Sequence, residues 1–450
     1  MKIYVVKQNV AIGYLEEETF GEISFVYFDN IKSESYLPGL DEKENFSENG
    51  LFTVFNNFLP ENNQVELLKQ KYDIKSNIEI LLYLENIHGS YEFIHEDDFI
   101  YKETKTPKII KYESVKKDIL LNNYTYPNIL KDYEINISSD IIFPSGIENS
   151  NVIGLSGFQY KFSIDINHEK KEIIQGSGNR SEYFIKPCSK YYSTYSPKDK
   201  DRLYIPYLLI NEHIFMSIAN DIGFKVPYNA IIKQGDDYHY IIKRFDRYKG
   251  FSFDHEELAT LMGIESSKKY SPTFKEVFEK AKEYLDTNEL YELIKFIVFS
   301  IVISHGDLHS KNISFINESN SLSELEKSIS PYYDISTTKI YKGIDNKDIG
   351  LRLLNKTSNI KREDILNFAD LIGLDKEKVN ILIDEICNYF IDSFKSRYIA
   401  LLPNEIKALP FHKSSYGAPD SFESVLNKYY EQRCNYIKTN FGIEKEESFF

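Results

Sequence analysis

Residues 304–312 read Ser-His-Gly-Asp-Leu-His-Ser-Lys-Asn, and Asp334 follows about twenty positions later, at the end of Tyr-Tyr-Asp. Asp307 and Asn312 lie five positions apart in the first stretch, and an apolar run that reads as a strand follows Asn312. This spacing offers one carboxylate that can accept a proton and two hard oxygen donors of the kind that Mg²⁺ prefers. We interpret Asp307 and Asn312 as catalytic residues, with Asp307 as the base, and Asn312 and Asp334 as magnesium ligands. Such a set suits transfer of a phosphoryl group from a nucleoside triphosphate.

A lysine upstream is placed to contact the phosphates of a nucleotide. Lys186 lies in a strand-like segment, Tyr183–Pro187, and precedes the segment Tyr204–Ile222, whose apolar residues recur at helical spacing. From the end of that strand its ammonium could reach the α- and β-phosphates, with Glu212 of the helix as its ion-pair partner. The alternative is a solvated lysine at a strand end, with Glu212 on the surface.

Two further segments could cover the nucleotide. Gly157 lies in a turn that leads into a strand, and its backbone amides, together with Gln159 and Lys161, could cradle phosphates; a plain hairpin is the alternative. Lys243 and Phe245 lie where the chain leaves a predicted hairpin. In a two-lobed kinase this segment passes the adenine, whose edge bonds to backbone while an apolar group stacks on its face. A charged exit from a strand is the alternative there.

The histidines of the opening stretch need a separate interpretation. His305 and His309 lie four positions apart, but no convincing third ligand for zinc lies nearby. We therefore expect hydrogen bonds from these histidines to position the loop. We also predict that His309 and Lys311 belong to the nucleotide-binding site.

The predicted elements run from strands to helices along the chain. We predict strands at 2–6, 11–15 and 22–28, helices at 51–59 and 64–72, a pattern-poor connector at about 103–150, and helices at roughly 254–263, 273–285, 288–304, 363–371, 375–396 and 421–439. This order is typical of an α+β protein with a two-lobed, protein-kinase-like fold. We expect an N-terminal α+β module with its connector at 1–130, a small lobe at 131–247 and a mostly helical C-terminal lobe at 248–450.

Charge and cysteine content exclude several classes of protein. A formal net charge of −15 argues against a protein that grips nucleic acid over its whole surface, because such binding relies on clustered Lys and Arg. The three cysteines are far apart and form no C-x-x-C pair, so neither a disulfide framework nor a zinc site is expected. No signal-peptide pattern or bilayer-spanning apolar run is present, so we expect a cytoplasmic protein without a membrane partner.

With these residues the sequence resembles the HipA-type serine/threonine kinases, the toxin halves of bacterial toxin–antitoxin pairs. The resemblance is carried by residues 55–61, 155–161, 183–187, 211–212, 223–227, 244–247, 305–314 and 333–337. It implies ATP- and Mg²⁺-dependent phosphorylation of a protein Ser or Thr, with aminoacyl-tRNA synthetases as the known kind of target and growth arrest as the outcome. It also implies a DNA-binding helix-turn-helix antitoxin as partner, so that DNA is contacted only through the antitoxin.

The resemblance supports the roles given above, and the sequence departs from the family in two places. The family often carries an autophosphorylated Ser at the start of its glycine turn, and Gly154 stands about where that Ser is expected. We hypothesise that Ser156 takes that role, because phosphorylation would move the turn. Lys243 stands at a position where the family commonly has an acidic residue.

Two other functions fit parts of the sequence. A small-molecule kinase of the aminoglycoside or choline type shares the pattern His-Gly-Asp-Leu-His-x-x-Asn. The N-terminal module and the Arg244–Arg247 segment favour the HipA type instead. A catalytically silent binding protein is the second alternative, and intact Asp307, Asn312 and Lys186 argue against it.

Overall fold

The computed structural model describes residues 1–18, 21–47, 50–60, 64–84, 87–100, 108–120, 124–137, 161–189, 193, 204–324, 326–342, 344, 347–412 and 420–444. Among these residues, no helix is both long enough and apolar enough to cross a bilayer.

The N-terminal module is built on a five-stranded antiparallel sheet. Its elements are β1 (Lys2–Lys7), β2 (Val10–Glu17), β3 (Ile23–Tyr27), β4 (Glu44–Ser47), α1 (Thr53–Asn56), α2 (Gln64–Tyr72) and β5 (Tyr91–His95), with strand order β4-β3-β2-β1-β5. Along β1 the side chains of Ile3 and Val5 are buried while Tyr4 between them is partly exposed, as the two-residue period of a strand requires. The predicted strands and the helix α2 are confirmed.

The small lobe is a seven-stranded sheet covered by a long helix. Helix α3 (Tyr112–Leu120) of the connector precedes β6 (Ile129–Leu130), β7 (Glu134–Asn136), β8 (Phe162–Asn167), β9 (Glu172–Gln175), β10 (Tyr183–Lys186), α4 (Leu208–Asp221), β11 (Asn229–Gln234) and β12 (Asp237–Lys243). The strand order is β6-β11-β12-β10-β8-β9-β7, and α4 packs on β11 and β12. Gly223 follows α4 with φ +96°, a left-handed backbone conformation that glycine adopts readily at the end of a helix.

The helix α3 corrects the prediction of a pattern-poor connector at 103–150. Its buried side chains recur at helical spacing, at Tyr112, Val115, Ile119 and Leu120. They pack against Phe245 and Phe253, which follow β12 in the chain. Glu, Lys and Asp residues stand between these apolar positions and made the helical spacing hard to recognise in the sequence. The hydrophobic residues that cover this side of the helix lie more than a hundred positions away in sequence.

The C-terminal lobe is mostly helical and also carries short strands. Its elements are β13 (Arg247–Tyr248), β14 (Phe251–Ser252), β15 (His255–Glu257), α5 (Leu258–Leu261), α6 (Phe274–Ala281), α7 (Thr287–Ile303), β16 (Ser314–Asn317), β17 (Lys327–Ile329), α8 (Arg362–Leu371), α9 (Lys376–Ser393), α10 (Asn404–Lys407), β18 (Pro410–His412), β19 (Asp420–Ser421) and α11 (Phe422–Phe441). Side-chain capping boxes at Thr273 and Asp286 start α6 and α7. A π-helical turn, Phe394–Ile399, extends α9. The fold is α+β and two-lobed, as predicted.

The helix predicted at 254–263 is wrong in its first half. Residues His255–Glu257 form β15, which pairs antiparallel with β16, and only the single turn α5 follows. Pairing with another strand overrode the helical spacing of this segment, because strand formation depends on neighbours that are distant in sequence.

A buried cluster of charges joins the N-terminal module to β15. The ammonium of Lys7 lies 2.8 Å from Glu256 Oε1 and 3.0 Å from Asp254 Oδ2, and Lys327 Nζ lies 2.6 Å from Glu256 Oε2. Burial alone would raise the pKa of Glu256, but the two ammoniums lower it well below its ordinary value. The module is thereby tied to the strand that pairs with β16, next to the predicted catalytic loop.

The Arg244–Arg247 segment forms a second junction with the module. Arg244 and Arg247 lie 3.0 Å and 2.9 Å from Asp246 Oδ2, and both guanidiniums donate to the carbonyl oxygen of Ile87. The amide of Gly89 donates to the same carboxylate at 2.8 Å. Gly89 has φ +71°, and a Cβ there would lie 2.9 Å from a backbone oxygen of β15, so the junction requires glycine.

A buried histidine in α4 predicts sensitivity to acid. His213 accepts a hydrogen bond from the amide of Asn128 at 3.0 Å, and its other ring nitrogen lies 2.6 Å from Asn229 Oδ1. Burial lowers the pKa of His213 from 6.5 to about 4. The unfolded chain therefore binds a proton in a pH range where the folded chain does not. As the pH falls through that range, the free energy of unfolding decreases.

We expect His213→Gln to flatten the pH dependence of stability. From His213 alone, the free energy of unfolding should fall by up to about 1.4 kcal/mol per pH unit between pH 6.5 and about pH 4. Chemical denaturation at closely spaced pH values across this window measures the slope. A variant with the same slope as the wild type would show that His213 does not titrate as described.

Candidate active site

Helix α7 delivers the chain into the candidate catalytic loop, residues 304–312. Nearly all side chains in its second half are buried, and the helix ends where Ser304 adopts a left-handed φ of +55°. His305 then forms a parallel backbone bridge with Ile349. The loop therefore starts from a rigid helix end and is braced by a neighbouring segment.

Arg433 of α11 holds the end of α7. Its fully buried guanidinium donates to the carbonyl oxygens of Ile301 at 2.7 Å and Val302 at 2.8 Å, and lies 3.1 Å from Asp348 Oδ1. These carbonyls belong to the last turn of α7, where the helix provides no further N–H groups to donate hydrogen bonds to them. Asp348 also accepts the Ser304 hydroxyl at 3.4 Å. The ion pair thus fixes the point from which the loop departs.

We expect Arg433→Met to destabilise the fold by about 3–5 kcal/mol, because it leaves Asp348 buried without its counter-charge. The free energy of unfolding from chemical denaturation measures this loss. Arg397→Met is the matched control, since Arg397 pairs with Asp221 while about half exposed and should cost about 1 kcal/mol or less. Equal small losses in the two variants would contradict a structural role for the Arg433–Asp348 pair.

Lys186 and Glu212, both buried, meet the partly exposed Asp334 in one cluster, hereafter the lysine cluster. Lys186 Nζ lies 2.7 Å from both carboxylate oxygens of Glu212 and also contacts Asp334 Oδ1. Lys161 Nζ approaches Asp334 Oδ2 at 3.5 Å. The structure confirms the ion pair between Lys186 and Glu212, and it places two ammoniums on the predicted metal ligand.

The charges of the lysine cluster are set by burial and by each other. Burial alone would raise the pKa of Asp334, but Lys161 and Lys186 lower it well below its ordinary value. Burial raises the pKa of Glu212 to about 7 in spite of the neighbouring ammonium of Lys186. Burial alone would lower the pKa of Lys186, but Asp334 and Glu212 raise it overall. Lys186 therefore stays charged, and Asp334 stays ionised.

Asp307 lies at the exposed edge of the catalytic loop. Its Oδ1 accepts a hydrogen bond from the hydroxyl of Tyr270, whose ring packs edge-on against His309 with 5.1 Å between centroids. An exposed carboxylate can be approached by a hydroxyl group from outside the protein. This position suits a base that acts on a separate acceptor molecule.

The side chain of Asn312 and the backbone of His309 brace the loop from within, whereas His305 Nδ1, His305 Nε2 and His309 Nδ1 make none of the predicted hydrogen bonds to the described residues. The amide of His309 donates to Asn312 Oδ1 at 3.1 Å, and the amide of Asn312 donates to the His309 carbonyl at 2.9 Å. Burial lowers the pKa of His309 well below its ordinary value, so its ring stays neutral. The side-chain oxygen Oδ1 of Asn312 has a second lone pair, and a cation would bind through it.

Phe245 and Lys243 have well-defined neighbours in the structure. The ring of Phe245 stacks on Tyr333 with 5.6 Å between centroids. The ammonium of Lys243 donates to the carbonyl of Asp118 at 2.9 Å and lies 3.4 Å from Glu182. These contacts direct Lys243 toward α3, and adenine binding by this segment stays a prediction.

Lys311 contacts the N-terminal module. Its ammonium lies 2.8 Å from Ser266 Oγ, 3.3 Å from the carbonyl oxygen of Asn57 and 3.5 Å from Glu257 Oε2. Nucleotide binding by Lys311 stays a prediction, and the structure gives it a part in fixing the loop. Ser156, Gly157 and Gln159 lie outside the described residues.

The roles of several residues around the site were not predicted from the sequence. Arg433 and Asp348 are 85 positions apart, and Tyr270 precedes Asp307 by 37 positions, so no short motif contains either pair. One local signal existed for Arg433. It lies three positions after Tyr430 and four before Ile437, on the buried stripe of α11, where a charge needs a partner.

The donor set fits a nucleoside triphosphate bound with a divalent cation. Asn312 and Asp334 carry oxygen atoms that could bind Mg²⁺, which commonly takes few protein oxygens and completes its shell with phosphates and water. Lys161 and Lys186 place two cationic groups on Asp334, and binding of an anionic phosphate chain needs such groups.

A family model described as the HipA-like C-terminal domain matches residues 153–394. A relative from Haemophilus influenzae, named "Putative kinase", is 28% identical over 262 residues, which are 52% of this chain and 70% of the relative. A relative from Sinorhizobium fredii, named "Putative kinase Y4dM", is 26% identical over 299 residues, which are 63% of this chain and 67% of the relative.

A solved structure has the same fold over almost the whole chain. It is a complex of HipA, HipB and operator DNA from Shewanella oneidensis, and the match has a TM-score of 0.66 at 17% sequence identity. The match covers 98% of both chains, so it includes the N-terminal module as well as the two lobes.

Proposed function

The chain belongs to the family of the HipA-like C-terminal domain, and from this premise we propose that it is an ATP-dependent serine/threonine protein kinase that acts as the toxin of a toxin–antitoxin pair. The observation that carries the proposal is the lysine cluster together with an exposed Asp307 on the neighbouring loop. A buried lysine paired to a helix glutamate, an Asn and two aspartates are the parts that protein kinases use.

In the proposed reaction, the hydroxyl oxygen of a Ser or Thr attacks the γ-phosphorus of ATP. The bond between the γ-phosphorus and the β–γ bridging oxygen breaks, ADP leaves, and the hydroxyl proton passes to Asp307. Lys186 and Lys161 neutralise phosphate charge, and Glu212 holds Lys186 in place. Mg²⁺, held by Asn312 and Asp334, would supply further neutralisation of the triphosphate when bound.

We also propose the partners that such a toxin would have. A DNA-binding antitoxin would neutralise it and connect it to DNA, and the HipA of the similar solved structure is bound to HipB and operator DNA. An aminoacyl-tRNA synthetase is the proposed kind of protein target, in the cytoplasm. The proposed division is a module with its connector at 1–130, a small lobe at 131–247 and a helical lobe at 248–450.

Incubation of the purified protein with γ-labelled ATP and a bacterial protein extract tests the proposed activity. We expect the label to appear in a protein band and to survive acid treatment, as a phosphoserine or phosphothreonine does. In a parallel reaction, aminoglycosides and choline replace the extract. Label transferred to one of these small molecules and to no protein would overturn the proposal in favour of a small-molecule kinase.

A further inference from the structure

The segment Ile264–Tyr270 is hydrogen-bonded to the candidate catalytic loop. The carbonyl oxygen of Lys269 accepts from the amide of Ser310 at 3.2 Å and from its hydroxyl at 2.9 Å. Lys311 Nζ donates to Ser266 Oγ at 2.8 Å. The segment is therefore bonded to two consecutive residues of the loop, between Asp307 and Asn312.

The start of this segment is held by the N-terminal module through Asn57. The side chain of Asn57 is only 1% exposed. Its amide group donates to Thr260 Oγ1 at 3.0 Å and to the carbonyl of Ile264 at 2.9 Å, and its Oδ1 accepts from the amide of Ser266 at 2.9 Å. Both donor hydrogens and the acceptor are used, which gives the segment one defined position relative to the module.

The end of the segment contacts the candidate base directly. Tyr270 donates its hydroxyl hydrogen to Oδ1 of Asp307, and its ring rests against His309 while 43% of the residue is exposed. A hydrogen bond to one carboxylate oxygen restricts the rotation of the carboxylate. The direction in which the carboxylate faces an acceptor hydroxyl group is then defined.

We propose that Ile264–Tyr270 is a positioning element for Asp307. Tyr270 orients the carboxylate, and Asn57 of the N-terminal module anchors the segment that carries Tyr270. This inference rests on the proposed kinase function and adds to it a role for the module in catalysis. Neither residue is a catalytic residue, because each acts through Asp307.

The variant Tyr270→Phe tests the first step. We expect kcat for transfer to a protein acceptor to fall about 10- to 100-fold, with the KM for ATP and the unfolding midpoint close to wild type. Tyr248→Phe is the matched control, because it removes a phenol–carboxylate hydrogen bond of the same kind, 3.1 Å long, at Asp118. An unchanged kcat in Tyr270→Phe would overturn the proposal.

A double-mutant cycle with Asn57→Ala tests whether the module acts through Tyr270. We expect Asn57→Ala to lower kcat in the wild-type background and to have little further effect in the Tyr270→Phe background. Independent, multiplicative losses would contradict the proposed connection. If Asn57→Ala does not fold, Asn57→Gln, which keeps the carboxamide but displaces it, takes its place in the same cycle.

The cycle also separates this inference from the proposed function. A wild-type protein that transfers no phosphate to any protein would refute the kinase proposal. An active wild type whose kcat is unaffected in both variants would refute the positioning role and leave the kinase proposal intact.

Discussion

Asp307→Asn is expected to lower the rate of phosphoryl transfer by about 10²- to 10⁴-fold, because the amide cannot accept the proton of the attacking hydroxyl. The substitution preserves the size of the side chain and its acceptor for the Tyr270 hydroxyl. The free energy of unfolding and the affinity for ATP should therefore stay near their wild-type values. Single-turnover kinetics with γ-labelled ATP, together with nucleotide titration, measures both quantities.

The control for this variant is a charge change that leaves the loop untouched. Asp98→Asn removes one exposed carboxylate from the N-terminal module, and its activity should equal that of the wild type. In growing cells, expression of wild type and Asp98→Asn should arrest growth, while Asp307→Asn should not. Undiminished toxicity of Asp307→Asn would show that growth arrest comes from binding alone.

Lys186→Met is expected to remove both activity and much of the stability. Lys186 is 3% exposed and its ammonium contacts two carboxylates, so its loss leaves the buried Glu212 without its ion-pair partner and the partly exposed Asp334 with Lys161 alone. Removing one partner of a buried ion pair costs about 3–5 kcal/mol. Chemical denaturation should show this loss, and ATP should no longer raise the unfolding midpoint.

A second substitution separates the structural role of Lys186 from its role toward ATP. In Lys186→Met with Glu212→Gln, an amide replaces the buried carboxyl group that has lost its ammonium partner, so part of the lost unfolding free energy should return. Activity should stay absent, because no ammonium reaches the phosphates from β10. A double variant that regains activity would show that Lys186 acts only on stability.

The sequence was most informative where neighbours in the chain determine the structure. Helix α7 was predicted at 288–304 and lies at Thr287–Ile303, because its apolar side chains follow one another within a few turns. The strand that ends in Lys186 and the helix that carries Glu212 were predicted for the same reason, and their ion pair followed from that geometry.

Features that depend on distant partners were not predicted. Strand β15 exists because β16, about sixty residues later, pairs with it, and α3 exists because Phe245 and Phe253 cover its apolar side. The contact of Tyr270 with Asp307 and the anchor at Asn57 also join separate segments. No spacing rule along the chain reports such pairs, since only the folded topology brings them together.

The most direct test of the central claim is a map of phosphorylated residues in a bacterial extract after incubation with ATP and the purified protein, with Asp307→Asn as the reference. The account predicts that mass spectrometry finds new phosphoserine or phosphothreonine sites with the wild type that are absent with Asp307→Asn. Identical maps for the two proteins would contradict it.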